Sequence, residues 1–240
     1  MKKERELNRE YKKSILKNKN FCPFRYEKQM DYLFSFLKKD FIKKDLKILE
    51  SGCGQGRLLF YLNEFNNNQE YWGIDYLAEN IKYAKNLFKD DQNIKLYKYN
   101  FFDLSKKYKK FFDISISYKT LSWLPDYKDA VLELIKSTKE KIYITSLFSN
   151  NNFSSFTKIY DHNNKTYTYL NTYSVADFKR FCLNNGAKKV KFVDMRLDID
   201  LPENKSKSVL QTHTKRTKGG ENLEITANTI LNWKLVIIEI

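Results

Sequence analysis

Three glycines stand at alternate positions in KILESGCGQGRLLFYL, in a chain that holds only 7 glycines among its 240 residues. Glycine reaches positive φ angles and tolerates close approaches that a Cβ forbids, so Gly52, Gly54 and Gly56 mark a tight strand-to-helix turn wrapped around a ligand. A dinucleotide fingerprint GxGxxG needs its third glycine where Arg57 stands, and a phosphate loop needs a Gly-Lys-Ser/Thr that does not follow. What is left is a carboxylate at a strand end, Glu50, followed by GxGxG. A second carboxylate, Asp75, closes the next strand in YWGIDYLAEN, where nucleotide-binding α/β folds hold ribose hydroxyls, and a carboxamide, Asn100, follows the third in LYKYNFFDL. Cys53 sits inside the turn without a base beside it and reads as a small apolar filler.

Taken in order, the segments from Ile48 to about Leu147 resemble the motifs of class I S-adenosylmethionine-dependent methyltransferases. The resemblance implies a cofactor site made of Glu50, Gly52, Cys53, Gly54, Gly56, Asp75, Tyr76, Asn100, Phe101, Ser117 and Tyr118. Within it, Asp75 would hold both ribose hydroxyls. Asn100 would meet the adenine, with Asp103 as second choice, and Phe101 would pack on its ring. The segment FDISISYKTLSWLPD would pass under the sulfonium.

Two nucleic acid chemistries lack their marks. Relatives that methylate nucleobase amino groups carry [DNS]PP[YFW] where this chain reads Ser117-Tyr118-Lys119-Thr120, and none of its cysteines follows a proline, as cytosine C5 methylation requires. The C-terminal part, from Arg196 to Leu235, resembles a group of small bacterial methyltransferases often found among surface-polysaccharide genes. Their pattern runs IDIDLP, TYT, SGPLLMPW, matched here by Asp198, Asp200, Leu201, Pro202, then Thr212, His213, Thr214, then Thr226 to Trp233. Gln211, His213 and Thr226-Ala227-Asn228 depart from it. The resemblance implies O-methylation of a small carbohydrate precursor, and the charge excess fits a phosphorylated or nucleotide-linked one; with no signal-peptide core or membrane span, a cytoplasmic location is expected.

Methyl transfer is an in-line displacement, so a base is needed only where the acceptor carries a proton. His213, an imidazole that can accept a proton, is the candidate catalytic group. Thr212, Thr214, Lys215 and Arg216 beside it, with the aromatic planes of Trp123, Tyr160 and Tyr167, are candidates for holding the acceptor. An RNA methyltransferase and a non-catalytic cofactor-binding module are the competing readings.

These residues need a scaffold, and the hydrophobic pattern supplies an α/β one: strands at Lys47–Leu49, Tyr71–Ile74, Ile94–Tyr99, Asp113–Ser117 and Lys141–Ser146 alternate with helices at Arg57–Glu64, Leu77–Phe88 and Tyr127–Lys136. That order implies a doubly wound, mostly parallel seven-stranded sheet. Residues 1–40 form an N-terminal helical cover, 41–147 the cofactor half and 148–240 the acceptor half of a single domain. Ser174 to Asn185 is a further helix, opened by a capping box at Ser174-x-x-Asp177 and closed by Gly186, and strands at Lys188–Asp198 and Leu231–Ile240 finish the sheet. Phe153–Thr172 reads as a hairpin around His162-Asn163-Asn164, and Ser208–Ala227 as another with a two-residue turn at Gly219-Gly220.

With 42% hydrophobic and 16% aromatic residues the chain can bury a core. The N-terminal stretch MKKERELNREYKKS lacks a signal-peptide core and no run approaches the ~20 apolar residues of a membrane span, so a soluble intracellular protein is expected. Cys22, Cys53 and Cys182 are widely spaced and match neither a disulfide framework nor a zinc pattern. The formal charge of +15 suits an anionic partner, but its lysines are spread along the whole chain. A small anionic acceptor fits that spread better than nucleic acid does.

Overall fold

The computed structural model describes residues 27–43, 45–162, 165–195, 200–202 and 212–240. The expected helical cover before Glu27, Asn163-Asn164, Asp198 and Ser208 to Gln211 lie outside the described residues. The strands that build the sheet are β1 (Lys47–Ser51), β2 (Glu70–Asp75), β3 (Ile94–Lys98), β4 (Phe112–Tyr118), β5 (Thr138–Ser149), β9 (Lys189–Asp194) and β13 (Trp233–Glu239). Their spatial order is β3-β2-β1-β4-β5-β13-β9, with the two-residue β8 (Tyr173–Ser174) added beside the end of β5. Neighbours from β3 to β5 run parallel, and β13 runs antiparallel to both β5 and β9.

The helices are α1 (Lys28–Leu37), α2 (Arg57–Phe65), α3 (Ala78–Leu87), α4 (Leu104–Lys107), α5 (Lys128–Ser137) and α6 (Val175–Asn184). They divide between the two faces because successive strand residues point opposite ways. Ile48 packs with Met30, Leu33, Leu58 and Ile81 from α1, α2 and α3, whereas Leu49 packs with Leu104, Leu134 and Phe178 from α4, α5 and α6. Strands buried on both faces read as continuous apolar runs, which is why they were visible in the sequence.

The order reverses between β1 and β4, since β2 and β3 lie to one side and β5 to the other. A crevice outside the carboxyl ends of the strands opens at such a switch point. Two smaller sheets follow β5 and β9: the hairpin β6 (Lys158–Asp161) and β7 (Thr166–Tyr169), and the sheet β10 (Thr212–Arg216), β11 (Asn222–Thr226), β12 (Thr229–Ile230).

Two local expectations are corrected. The turn joining β10 to β11 does not use Gly219-Gly220 as a two-residue turn: Thr217 and Glu221 still pair, with Thr217 N–H on Glu221 O at 2.8 Å, so three residues close the loop. Only Gly220 takes a positive φ, +85°, the left-handed position of a three-residue hairpin loop. At the start of α6 the Ser174 hydroxyl accepts from Asp177 N–H at 3.4 Å, but the return half of the capping box is absent. Ser174 N–H donates to Ser154 Oγ instead, and Asp177 binds Tyr127 Oη at 2.9 Å.

Candidate active site

The glycine turn sits at the switch point. Gly52 and Cys53 N–H both donate to Ile74 O, at 2.8 and 3.0 Å, so β1 stays laced to β2 as the chain turns. Gly52, Gly54 and Gly56 take φ of +73°, +55° and +88°, and they differ in what a side chain would meet. A Cβ on Gly52 would lie 2.7 Å from the Thr120 side chain and one on Gly56 2.6 Å from the Phe88 ring, whereas one on Gly54 meets nothing within 4 Å. Gly52 and Gly56 are therefore packing glycines, and Gly54 faces open space.

Two carboxylates flank that space. Asp75 Oδ2 accepts from Gly54 N–H at 2.9 Å, while Oδ1 accepts from Leu77 N–H at 2.8 Å and from Asn80 Nδ2 at 3.1 Å. Burial pushes the Asp75 carboxyl above the usual range against these three donors. Glu50 is 3% exposed, and its Oε2 has no hydrogen-bond partner. Burial first, and the charge of Asp75 second, push its carboxyl well above the ordinary value, against the backbone N–H of Leu59 near the start of α2, which favours the charged form. The buried Ser117 Oγ is likewise unpartnered. An orphaned carboxylate oxygen beside a second carboxylate is a place for a cation or an ammonium group. The Cys53 thiol is pushed up by burial, then by Glu50 and Asp75, so it stays protonated and inert, as a filler should.

Tyr76 follows Asp75 and is half-buried. Asn100 Oδ1 accepts from Phe102 N–H at 3.1 Å and its amide donates to Asp103 Oδ2 at 2.7 Å, so it caps a short 3-10 turn. Phe101 is 8% exposed and belongs to the core on the α5 side. Tyr118 Oη donates to Glu27 Oε2 at 2.9 Å. The motifs did not mark Glu27, yet it also accepts from Lys119 Nζ at 3.1 Å and from Arg57. Burial raises its carboxyl, but Lys119 and Arg57 outweigh that and hold it below the usual range. Lys119 takes a φ of +54°, a left-handed conformation in a residue that has a Cβ, at the end of β4. Such conformations collect at functional sites.

The acceptor-side candidates are dispersed. Trp123 ends a 3-10 turn after β4. Tyr160 and Tyr167 face each other across the β6–β7 hairpin. On β10, Thr212 Oγ1 pairs with Thr226 Oγ1 at 2.7 Å, and Thr214 Oγ1 donates to Asp200 Oδ1 at 3.1 Å. His213 lies opposite Ile225, Thr214 opposite Glu224 and Arg216 opposite Asn222. Opposed residues share a face and neighbours alternate, so His213 and Lys215 project away from Thr214, Arg216 and Glu224. A cleft of about 560 Å³ lies where the ends of β5 and β9, the start of β13 and the β10–β12 sheet meet. Of the expected site residues only Arg216 lines it, beside Asn232 and Trp233 from the Thr226–Trp233 motif and Glu224, which no motif signalled. A period-2 reading of NLEIT, which puts Asn222, Glu224 and Thr226 on one face, was the available signal for Glu224.

A family model described as "Methyltransferase domain" matches residues 42–202. No curated protein matches the chain. Among solved structures it is similar to the magnesium protoporphyrin IX methyltransferase of Synechocystis PCC 6803 with bound S-adenosylmethionine, at 12% identity and a TM-score of 0.54 over 88% of this chain and 77% of that one. It is similar also to the YcgJ protein of Bacillus subtilis, at 12% identity and a TM-score of 0.56 over 87% of this chain and 97% of that one. A third is the [4+2]-cyclase SpnF, at 11% identity and a TM-score of 0.57 over 74% of this chain and 64% of that one. Likeness at these identities is likeness of fold.

Proposed function

This chain belongs to the class I S-adenosylmethionine-dependent methyltransferases, and we propose that it methylates oxygen on a small phosphorylated or nucleotide-linked carbohydrate precursor. Its cofactor, when bound, supplies a methyl group already activated by a sulfonium. The single observation that carries the cofactor site is Glu50, whose buried and unpartnered Oε2 stands beside Asp75 and suits the positively charged methionine part of that cofactor. In the proposed arrangement Glu50 and the turn Gly52-Cys53-Gly54-Gln55-Gly56 hold that part, with Ser117 and Tyr118 beneath. Asp75 and Tyr76 hold the ribose, Asn100 and Phe101 the adenine. Asp75 Oδ2 accepts only the Gly54 N–H, so one ribose hydroxyl fits there without displacing a protein donor. Residues 41–147 are then the cofactor half, and 148–240 the acceptor half.

The carbohydrate reading is supported by the likeness of the segment from Arg196 to Leu235 to methyltransferases of surface-polysaccharide clusters. In that reading Trp123, Tyr160 and Tyr167 offer stacking planes, and Thr212, Thr214, Lys215 and Arg216 offer hydrogen bonds and charge. The β10–β11 hairpin carries a proton acceptor on each face, His213 and Glu224. A mass-shift screen of phosphorylated sugars, sugar nucleotides and bulk RNA for the gain of one methyl group tests the assignment. For an acceptor that meets the His213 face, His213→Ala should lower turnover by about 10² or more with cofactor binding intact. The formal charge of +15 favours a second reading, RNA methylation, and methyl gained by RNA alone would replace the first.

A further inference from the structure

The geometry points to the cleft between β5, β9, β13 and the β10–β12 sheet as the acceptor site, built for a sugar bearing one anionic group, with Glu224 as the group that takes the hydroxyl proton. This rests on the carbohydrate reading above and narrows it. At about 560 Å³ the cleft falls in the range of small-molecule sites and exceeds a monosaccharide.

Its lining has the chemistry of polyol recognition: carboxamides and carboxylates that exchange hydrogen bonds with hydroxyls, beside the indole plane of Trp233. The Trp233 Nε1 is buried and unpartnered. It lies close to Glu224 and steadies that carboxylate on the cleft wall.

Charge decides what else the sugar carries. Lys234, 6% exposed, is bound to Asp194, so that pair is neutral. Arg216 is exposed and makes no ion pair among the described residues. One available guanidinium suits one carboxylate or one phosphate monoester. It does not suit a diphosphate or a polynucleotide, particularly with Glu221 and Glu224 on the same walls.

Position decides which cleft carboxylate is the proton acceptor. Glu224 shares its strand face with Arg216, and it is drawn electrostatically to Lys119, the strained residue just after β4 at the switch point. Lys119 Nζ also lies 5.5 Å from the Trp233 ring, so Glu224 and Trp233 form the cleft wall nearest the cofactor half. Burial raises the Glu224 carboxyl, which makes its carboxylate a better base than a solvated one. In the transfer the acceptor O–H gives its proton to Glu224 as the oxygen–methyl bond forms and the methyl–sulfur bond breaks, leaving a neutral thioether.

The test uses the full chain loaded with S-adenosylhomocysteine, titrated with glucose 6-phosphate, glucuronate, glucose and uridine diphosphate glucose by ligand-observed NMR. The two sugars with one anionic group should bind most tightly. Arg216→Ala should weaken them at least about tenfold and leave glucose unchanged, whereas Glu224→Gln should bind them within about threefold of wild type. In turnover with a sugar that the wild type methylates, Glu224→Gln should lose about 10²-fold and His213→Ala little. Wild-type binding in Arg216→Ala, wild-type turnover in Glu224→Gln, or no binding of any sugar overturns the cleft assignment. Carbohydrate methylation that both variants leave intact sinks the cleft and spares the proposed function. Sugar binding lost in Arg216→Ala, together with methyl transfer only to a non-carbohydrate, does the reverse.

Discussion

Glu50 carries a carboxylate that the protein satisfies only in part. It is enclosed, its Oε2 is unpartnered, and burial with the neighbouring Asp75 charge raises its carboxyl well above the ordinary range. A carboxyl raised on folding lends stability that is complete below its unfolded value near 4.5 and lost as the pH rises through the folded value. Glu50→Gln keeps the shape and removes the titration, so it should stabilise the free protein at pH 7 and make no difference at pH 4. A gain of about 1 kcal/mol moves Tm by about 2–4 °C in a chain of this size, and the rise at pH 7 should reach at least that. The same substitution takes a charge-assisted contact from a cationic cofactor, worth roughly 1.5–3 kcal/mol, so S-adenosylmethionine affinity should fall at least about tenfold. Melting curves at the two pH values and calorimetry with the cofactor check both halves. A variant that melts lower at pH 7 would show the Glu50 oxygen to be satisfied by the protein after all.

At the scale of elements, the β1–α2 turn separates glycines needed for folding from one needed for binding. Gly54→Ala puts a methyl group where no protein atom lies within 4 Å, at a φ of +55°, so it should cost only the left-handed strain of about 1–2 kcal/mol and fold. Gly52→Ala adds a collision at 2.7 Å with Thr120, and should lose clearly more stability. Cofactor binding should disappear in the folded Gly54→Ala protein, as measured by calorimetry; binding retained there would move the cofactor off this turn. The turn, its flanking strands and Asp75 were legible in the sequence because each rests on a local signal: glycines at a strand end, apolar runs of strand length, a carboxylate closing β2. Glu27 was not, because its partners Arg57, Tyr118 and Lys119 lie 30 to 92 residues away and an ion pair closed by tertiary packing leaves no spacing to read. The Gly219-Gly220 turn was misjudged because a glycine pair fits either a two- or a three-residue loop. What chose the latter was the Thr217–Glu221 pairing, reinforced by Thr217 Oγ1 accepting from Glu221 N–H at 3.1 Å.

Over the whole molecule the charge of +15 and the charges of the cleft point to different partners, and salt separates them. A single-stranded RNA held by some five lysines or arginines would lose affinity with a slope near −0.7 per contact in log salt, about a hundredfold between 50 and 200 mM. An acceptor held by Arg216 alone releases no condensed counterions, so its affinity should weaken only slightly, through ordinary screening of one ion pair. The surplus lysines would then act at a distance, raising the encounter rate of an anionic acceptor, and that effect too fades with salt, as a change in rate of association rather than in the lifetime of the complex. The decisive measurement is therefore acceptor KM and dissociation rate together across the salt series. A steep KM with an accelerating dissociation rate would mean that many phosphates are gripped at once, which makes the substrate a polynucleotide and the basic surface the binding site. A shallow KM with an unchanged dissociation rate leaves the lysines as a field around the protein and keeps recognition in the cleft, where one guanidinium meets one anion.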